Sequence, residues 1–278
     1  KNDKVFFVTF AAVIMLPTVI LNSAYWGQCD SIYTTFIILT LLYLYREKYH
    51  RAFMFLGIAF AFKMQTIFIF PFIICFYIYK KQFSIFELLI TVFTFWISGI
   101  GAFVQGRSLL DPFRIYANQT GTYQYMHVNF PSFWMFVGND YEWLKTAAIV
   151  MAAGICGMGL YIIMKRKLDC SRPENFVSIA SWFIWTCVLF LPAMHERYAY
   201  PLEILLVILT CINKDYLKYS SVAILFSLFT YGNYLFSNGG LDKYIVIIYA
   251  GCYLHFTYTI LKKNSKAATV TDKEMQNE

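Results

Sequence analysis

The sequence predicts an all-α fold, a polytopic integral membrane protein, on three observations. Hydrophobic residues make up 59% of the chain and charged residues 14%, against roughly 25% charge in a soluble domain, and the mean hydropathy is +0.54. The apolar residues fall into about ten runs of helix length separated by short polar or basic segments. Finally, 17 of the 23 Lys and Arg lie in alternate segments, which assigns those segments to the cytoplasmic side and accounts for the net charge of +7 without a nucleic acid. Aromatic residues at 20% give bulky spans and rings for the interfaces, where a channel bundle would lean on small residues. The seven cysteines have no CxxC or Cys/His spacing, so they predict neither a disulfide framework nor a metal site.

The first span is residues 4–21, with Lys1 and Lys4 at its cytoplasmic start. Outside it, Trp26-Gly27-Gln28-Cys29-Asp30 makes a polar turn, and Asp30 stands where an N-cap carboxylate would accept the first free backbone donors of a span over 31–45. The basic segment 46–51 returns the chain inside. Residues 52–79 are bounded by basic residues at both ends, Arg51 before and Lys80 and Lys81 after, so a single crossing would break the charge rule. The economical solution is a hairpin of two short helices, 52–62 and 66–79, with Lys63-Met64-Gln65 at its outward tip. A single tilted helix with Lys63 snorkelling is the alternative.

Residues 84–104 cross outward into the long segment 105–143, whose density of rings argues for an ordered extracytoplasmic loop. Rings and amides interleaved in this way suit sugar faces and hydroxyls, although interfacial belts look similar. Within it Asn118-Gln119-Thr120 matches a glycosylation sequon, a weak signal. Spans then follow at 144–164, 176–194, 201–212, 220–236 and 244–261, with 165–175 inside and the turn Asn238-Gly239-Gly240 outside. The organisation expected is a transmembrane body over 1–262, with 105–143 as its outer loop, and a polar cytoplasmic tail without structure over 263–278. The chain starts without a methionine and runs directly into a span, which suggests further sequence upstream.

The chemistry concentrates at His195-Glu196-Arg197-Tyr198, at the end of an apolar run. A charge near the bilayer centre costs about 2.5–3.5 kcal/mol even on the lenient insertion scale, so such a cluster usually marks a site, though an anchor in the headgroups would look alike. On this topology the turn 26–30, the tip 63–65, the loop 105–143 and the cluster 195–201 gather at one outer level. Lys63 and Arg197 then meet at membrane depth, where a phosphate on a lipid tail is a natural partner.

These motifs resemble the GT-C superfamily of polyprenyl-phosphate-sugar glycosyltransferases, especially bacterial relatives of the second mannosyltransferase of GPI-anchor synthesis. The matching residues are Asn22 with Trp26-Gly27-Gln28 and Asp30; Phe62-Lys63 with Gln65 and Pro71; Tyr123, Tyr125, Asn129, Trp134 and Gly138; and His195-Glu196-Arg197-Tyr198 with Tyr200-Pro201. Ser132 departs from the pattern, which has a second asparagine there. The resemblance implies a hexosyltransferase, mannosyltransferase-like, of the bacterial cytoplasmic membrane, acting on its outer face. Its donor would be a polyprenyl-phosphate sugar and its acceptor a glycan or lipid, with no nucleic acid involved. It needs no cofactor with certainty and leaves a divalent metal open. It further implies donor-phosphate binding by Arg197, His195 and Lys63, support from Glu196, Gln65, Gln28 and Trp26, and sugar or acceptor binding by Asn129, Trp134, Tyr123 and Tyr125. The general base is expected upstream of Lys1, in a first outer loop this chain does not contain, with Asp30 a weak candidate. A flippase of lipid-linked sugars, or a non-catalytic membrane subunit, are the alternatives from other classes.

Overall fold

The computed structural model describes residues 2–119, 122–236 and 243–275. Thr120 of the sequon and the turn at 238–240 lie outside the described residues. The chain is mostly helical. Its helices are α1 (Asn2–Ile14), α2 (Asp30–Tyr45), α3 (Tyr49–Phe62), α4 (Phe70–Lys80), α5 (Glu87–Ile97), α6 (Ile100–Val104), α7 (Asp111–Gln119), α8 (Tyr141–Lys165), α9 (Pro173–Phe190), α10 (Tyr200–Ile212), α11 (Leu217–Phe236) and α12 (Lys243–Met275). The one pair of strands among the described residues, β1 (His127–Val128) and β2 (Met194–His195), runs parallel, with Val128 opposite His195.

Several expected spans are interrupted where the backbone demands it. Pro17 has no N–H to donate, and the chain bends by 47° between Phe6–Ile14 and Pro17–Tyr25. Residues 84–104, expected as one span, split at Ser98-Gly99 into α5 and α6. A β-carbon at Gly99 would meet the Phe103 ring at 2.9 Å and Pro112 at 3.2 Å, so the chain turns there in little space. α9 stops short of the expected 194 because Pro192 forces Leu191 into extended backbone, φ −73° and ψ 155°. The tail expected to be structureless continues α12 as far as Met275, with no Gly or Pro after Gly251 to stop it.

α3 ends at Lys63, which is extended (φ −159°, ψ 134°), and a 3₁₀ segment, Met64–Ile69, leads into α4. The rings of Phe60 and Phe70 lie 5.5 Å apart across the break. Further along the arms, Phe53 and Phe76 both reach Phe83, at 5.4 and 6.3 Å. A continuous helix would hold residues 53 and 76 about 35 Å apart at 1.5 Å per residue, so the arms fold back on one another as a hairpin.

α9 and α10 form the centre. From Phe176 to Leu189 almost every side chain of α9 is buried, as an evenly apolar helix requires. α9 is flanked by α10, α8, α12 and α4; α2 packs on α3 and α3 on α5. α8 and the Lys243–Lys262 part of α12 are long and apolar enough to cross a membrane; the bent pair at the N-terminus also qualifies if counted as one span. Only 17% of the α8 span and 28% of the α12 span is buried, so both present apolar surface outward.

Candidate functional site

The turn before α2 begins with a π-helical segment, Ile20–Tyr25, and reverses at Gly27, whose φ of +67° suits a residue without a β-carbon. The half-buried Gln28 closes it, its N–H donating to the Asn22 carbonyl at 3.0 Å. The turn delivers Asp30 into the first turn of α2. The N-cap position belongs to Cys29 and has no side-chain cap bond, so the expected capping role of Asp30 is not the one the fold gives it.

The Asp30 side chain is instead fully buried among cations. Its Oδ1 accepts from Lys63 Nζ. Its Oδ2 accepts from Asn22 Nδ2 at 3.0 Å and lies 3.7 Å from Arg197 Nε. Lys63 Nζ sits over the rings of Tyr33 and Tyr198, at 5.4 and 5.7 Å. The Arg197 guanidinium covers the Trp26 ring at 5.2 Å, and its Nη1 donates to Glu196 Oε1 at 2.9 Å. Gln65 lies against the Tyr198 hydroxyl. Segments 22–30, 63–65 and 196–198 therefore meet around one carboxylate.

The segment 122–139 is tied to the same place. Asn139 Oδ1 accepts from the Met126 N–H at 2.7 Å, Ala193 N–H donates to the Tyr125 carbonyl at 3.1 Å, and β1 pairs with β2. This sets the Tyr123 ring edge-on to His195 at 4.4 Å. His195 Nδ1 is 3.8 Å from Glu196 Oε2, outside hydrogen-bond distance, and His195, set against the Tyr123 ring, forms the loop-facing edge of the cluster.

Lys63 and Arg197 come together at Asp30, and Asp30 and Glu196 balance them, as burial of two positive charges requires. One expectation changes. Trp134, expected against sugar or acceptor, is 4% exposed, and its Nε1 donates to the Phe190 carbonyl at 2.7 Å; it anchors the loop to the end of α9. Ser132 caps the short turn at Phe133–Met135, accepting from the Trp134 N–H at 3.3 Å. Asn129 is half-buried with φ +51°, a left-handed position that asparagine tolerates. Tyr123 and Tyr125 are 49% and 55% exposed, so their rings remain accessible.

Several polar atoms here are buried without a hydrogen-bond partner among the described residues: Asn22 Oδ1, Tyr33 OH, His195 Nε2, Glu196 Oε2 and Arg197 Nε. Such atoms normally find partners, so the cluster has hydrogen-bonding capacity beyond its own side chains, open to water or to a polar group. Sequence reasoning missed Glu203, on α10 and fully buried, whose Oε1 accepts from Ser227 Oγ and whose carboxylate also lies against the Thr18 hydroxyl. The signal was available: a lone carboxylate in an apolar run is a site by default. Among the described residues, no group of three or more His, Cys, Asp or Glu is arranged to hold a metal ion. No model of a protein family matches the chain, and no curated protein or solved structure matches it, so the chemistry of the site carries the functional reading.

Proposed function

We propose that the protein is a membrane glycosyltransferase that moves a hexose from a polyprenyl-phosphate donor to a hydroxyl acceptor on the extracytoplasmic face. The observation that carries the reading is the position of Asp30 between Lys63 and Arg197. A carboxylate held by two cations among aromatic rings marks a place where an oxyanion fits, and a phosphate monoester or diester is a stronger ligand for the same pair. The apolar outer faces of α8 and α12 support a bilayer setting, in which the shorter helices and the hairpin complete a polytopic body.

In this reading the acceptor oxygen attacks the anomeric carbon, the bond from that carbon to the phosphate oxygen breaks, and its electron pair leaves with the phosphate. Lys63 and Arg197 neutralise the departing charge. As the phosphate takes over these cations, Asp30 loses its partners and becomes the nearest carboxylate able to accept the hydroxyl proton. Tyr123 and Tyr125, exposed beside His195, offer faces for the sugar or acceptor.

The test is incubation of the purified chain with a polyprenyl-phosphate hexose labelled in the sugar, together with candidate acceptors. Release of polyprenyl phosphate with labelled product supports the reading. Movement of the intact donor across a vesicle bilayer without cleavage would replace it with a carrier function.

A further inference from the structure

We infer that a groove between α8 and α12 holds one anionic phospholipid of the surrounding bilayer. This rests on the membrane-bound part of the reading above and not on its chemistry. The groove has a volume of about 480 Å³, within the roughly 300–1,000 Å³ of ligand-sized clefts, and runs between α8 and α12 with α9 as its floor. Its lining is almost wholly apolar, including Met151, Met158, Ile179, Trp182 and Leu254. The one polar atom of the Trp182 ring is already satisfied, Nε1 donating to Thr257 Oγ1 at 2.8 Å. Met158 and Leu254 are 61% and 65% exposed, so the groove opens sideways. Its two walls are the helices of membrane-spanning length, so what meets the opening in a bilayer is lipid chain.

Charge at one end selects the headgroup. Ile163, Leu168 and Leu261 close the groove there, and Arg166 crosses it, Nη1 donating to the Leu261 carbonyl at 3.4 Å. Lys165, Lys167 and Lys262 are neighbours in the chain of these residues. The nearby carboxylate of Asp169 is engaged by Ser171 and Arg172, at 2.9 and 3.4 Å, and Asp215, which lines a pocket with Lys262, shares it with Lys214 and Lys218 as well, so this end of the groove keeps a positive excess. A basic end on an apolar groove between spanning helices suits an anionic phosphodiester headgroup with its acyl chain lying along Trp182.

Gly154 supplies the means of testing this. It lines the groove, and a β-carbon there would meet nothing within 4 Å, so a larger side chain has open space at its root from which to project into the groove. Native mass spectrometry of the purified full chain, titrated with phosphatidylglycerol and with phosphatidylcholine, reads the outcome. The wild type should retain one phosphatidylglycerol in preference to phosphatidylcholine. Gly154→Phe should lose it, Gly154→Ala should keep it, and Arg166→Gln should reduce the preference about fivefold, from about 1 kcal/mol per basic residue near the surface. If Gly154→Phe elutes as an aggregate, Arg166→Gln carries the test alone. Equal retention of both lipids by the wild type, or phosphatidylglycerol held undiminished by folded Gly154→Phe or by Arg166→Gln, overturns the inference. Release of the protein from membranes by alkaline carbonate would instead overturn the membrane reading itself, so the two failures are distinguishable.

Discussion

Lys63, the single extended residue between two helices, donates to Asp30, which begins another helix 33 residues earlier; the pair fastens the hairpin to the turn at 22–30. The hairpin break and the cluster are thus one feature. Removing one partner of such a buried pair strands a charge and costs about 3–5 kcal/mol, whereas removing both costs much less. Asp30→Asn and Lys63→Met should each lower the melting temperature strongly in detergent, and the double variant should melt above the Lys63→Met single. A double variant as damaged as the sum of the singles would show that the pair is not coupled.

Arg197 combines three contacts that lysine cannot reproduce together: a face over Trp26, a bond to Glu196 and proximity to Asp30. Arg197→Lys should weaken binding of a polyprenyl phosphate roughly ten- to a hundredfold, the equivalent of one charge-assisted bond of about 1.5–3 kcal/mol. Trp26→Leu should weaken it less, by removing only the ring face. Isothermal titration of the detergent-solubilised chain measures both, and affinity unchanged in Arg197→Lys would return this residue to a structural anchor.

On α8, Gly159 is buried, and a β-carbon there would lie 2.4 Å from the Trp182 ring. The indole is held by its bond to Thr257, so either that bond breaks as the ring shifts or the helices separate to admit a methyl group. Gly159→Ala should destabilise by about 1–3 kcal/mol despite its better helix propensity. Thermal unfolding checks this, and a raised melting temperature would mean that the α8–α9 contact has slack.

His127, in β1 and outside the helices, has its pKa lowered from the ordinary 6.5 because burial disfavours the imidazolium. The folded state therefore keeps it neutral where the unfolded chain takes up a proton. Its contribution is complete above about pH 6.5 and is lost as the pH falls below that value. Between about pH 7.5 and about pH 5.5 the wild type should lose more stability than His127→Gln, whose side chain does not titrate. Parallel losses in the two proteins would contradict this role.

Much of this was legible in the sequence, for identifiable reasons. Charge on both flanks of 52–79 required a reversal, and Lys63 is where the helix breaks. The four motifs converge because each joins helices that pack on the same centre. The lengths of the helices were less legible, since an evenly apolar run such as that of α9 reads the same whether lipid or protein surrounds it, and α9 is enclosed by its neighbours. Residue roles were least legible. Trp134 and the accessible Tyr125 are both aromatic residues of one loop, and only the bond from Trp134 to the Phe190 carbonyl separates an anchor from an open ring. The ion pairing of Asp30 was hidden because its partners lie 33 and 167 positions away in the chain.

The most direct test of the oxyanion site is the affinity of the detergent-solubilised chain for a short polyprenyl phosphate in Lys63→Ala, Arg197→Ala and Asp30→Asn. If Asp30 holds the place that the phosphate takes, the two cation variants bind roughly ten- to a hundredfold more weakly. Asp30→Asn, with its competing charge removed, binds more tightly than the wild type, and the bound phosphate restores its melting temperature. Weaker binding in Asp30→Asn, or unchanged binding in both cation variants, would contradict the account.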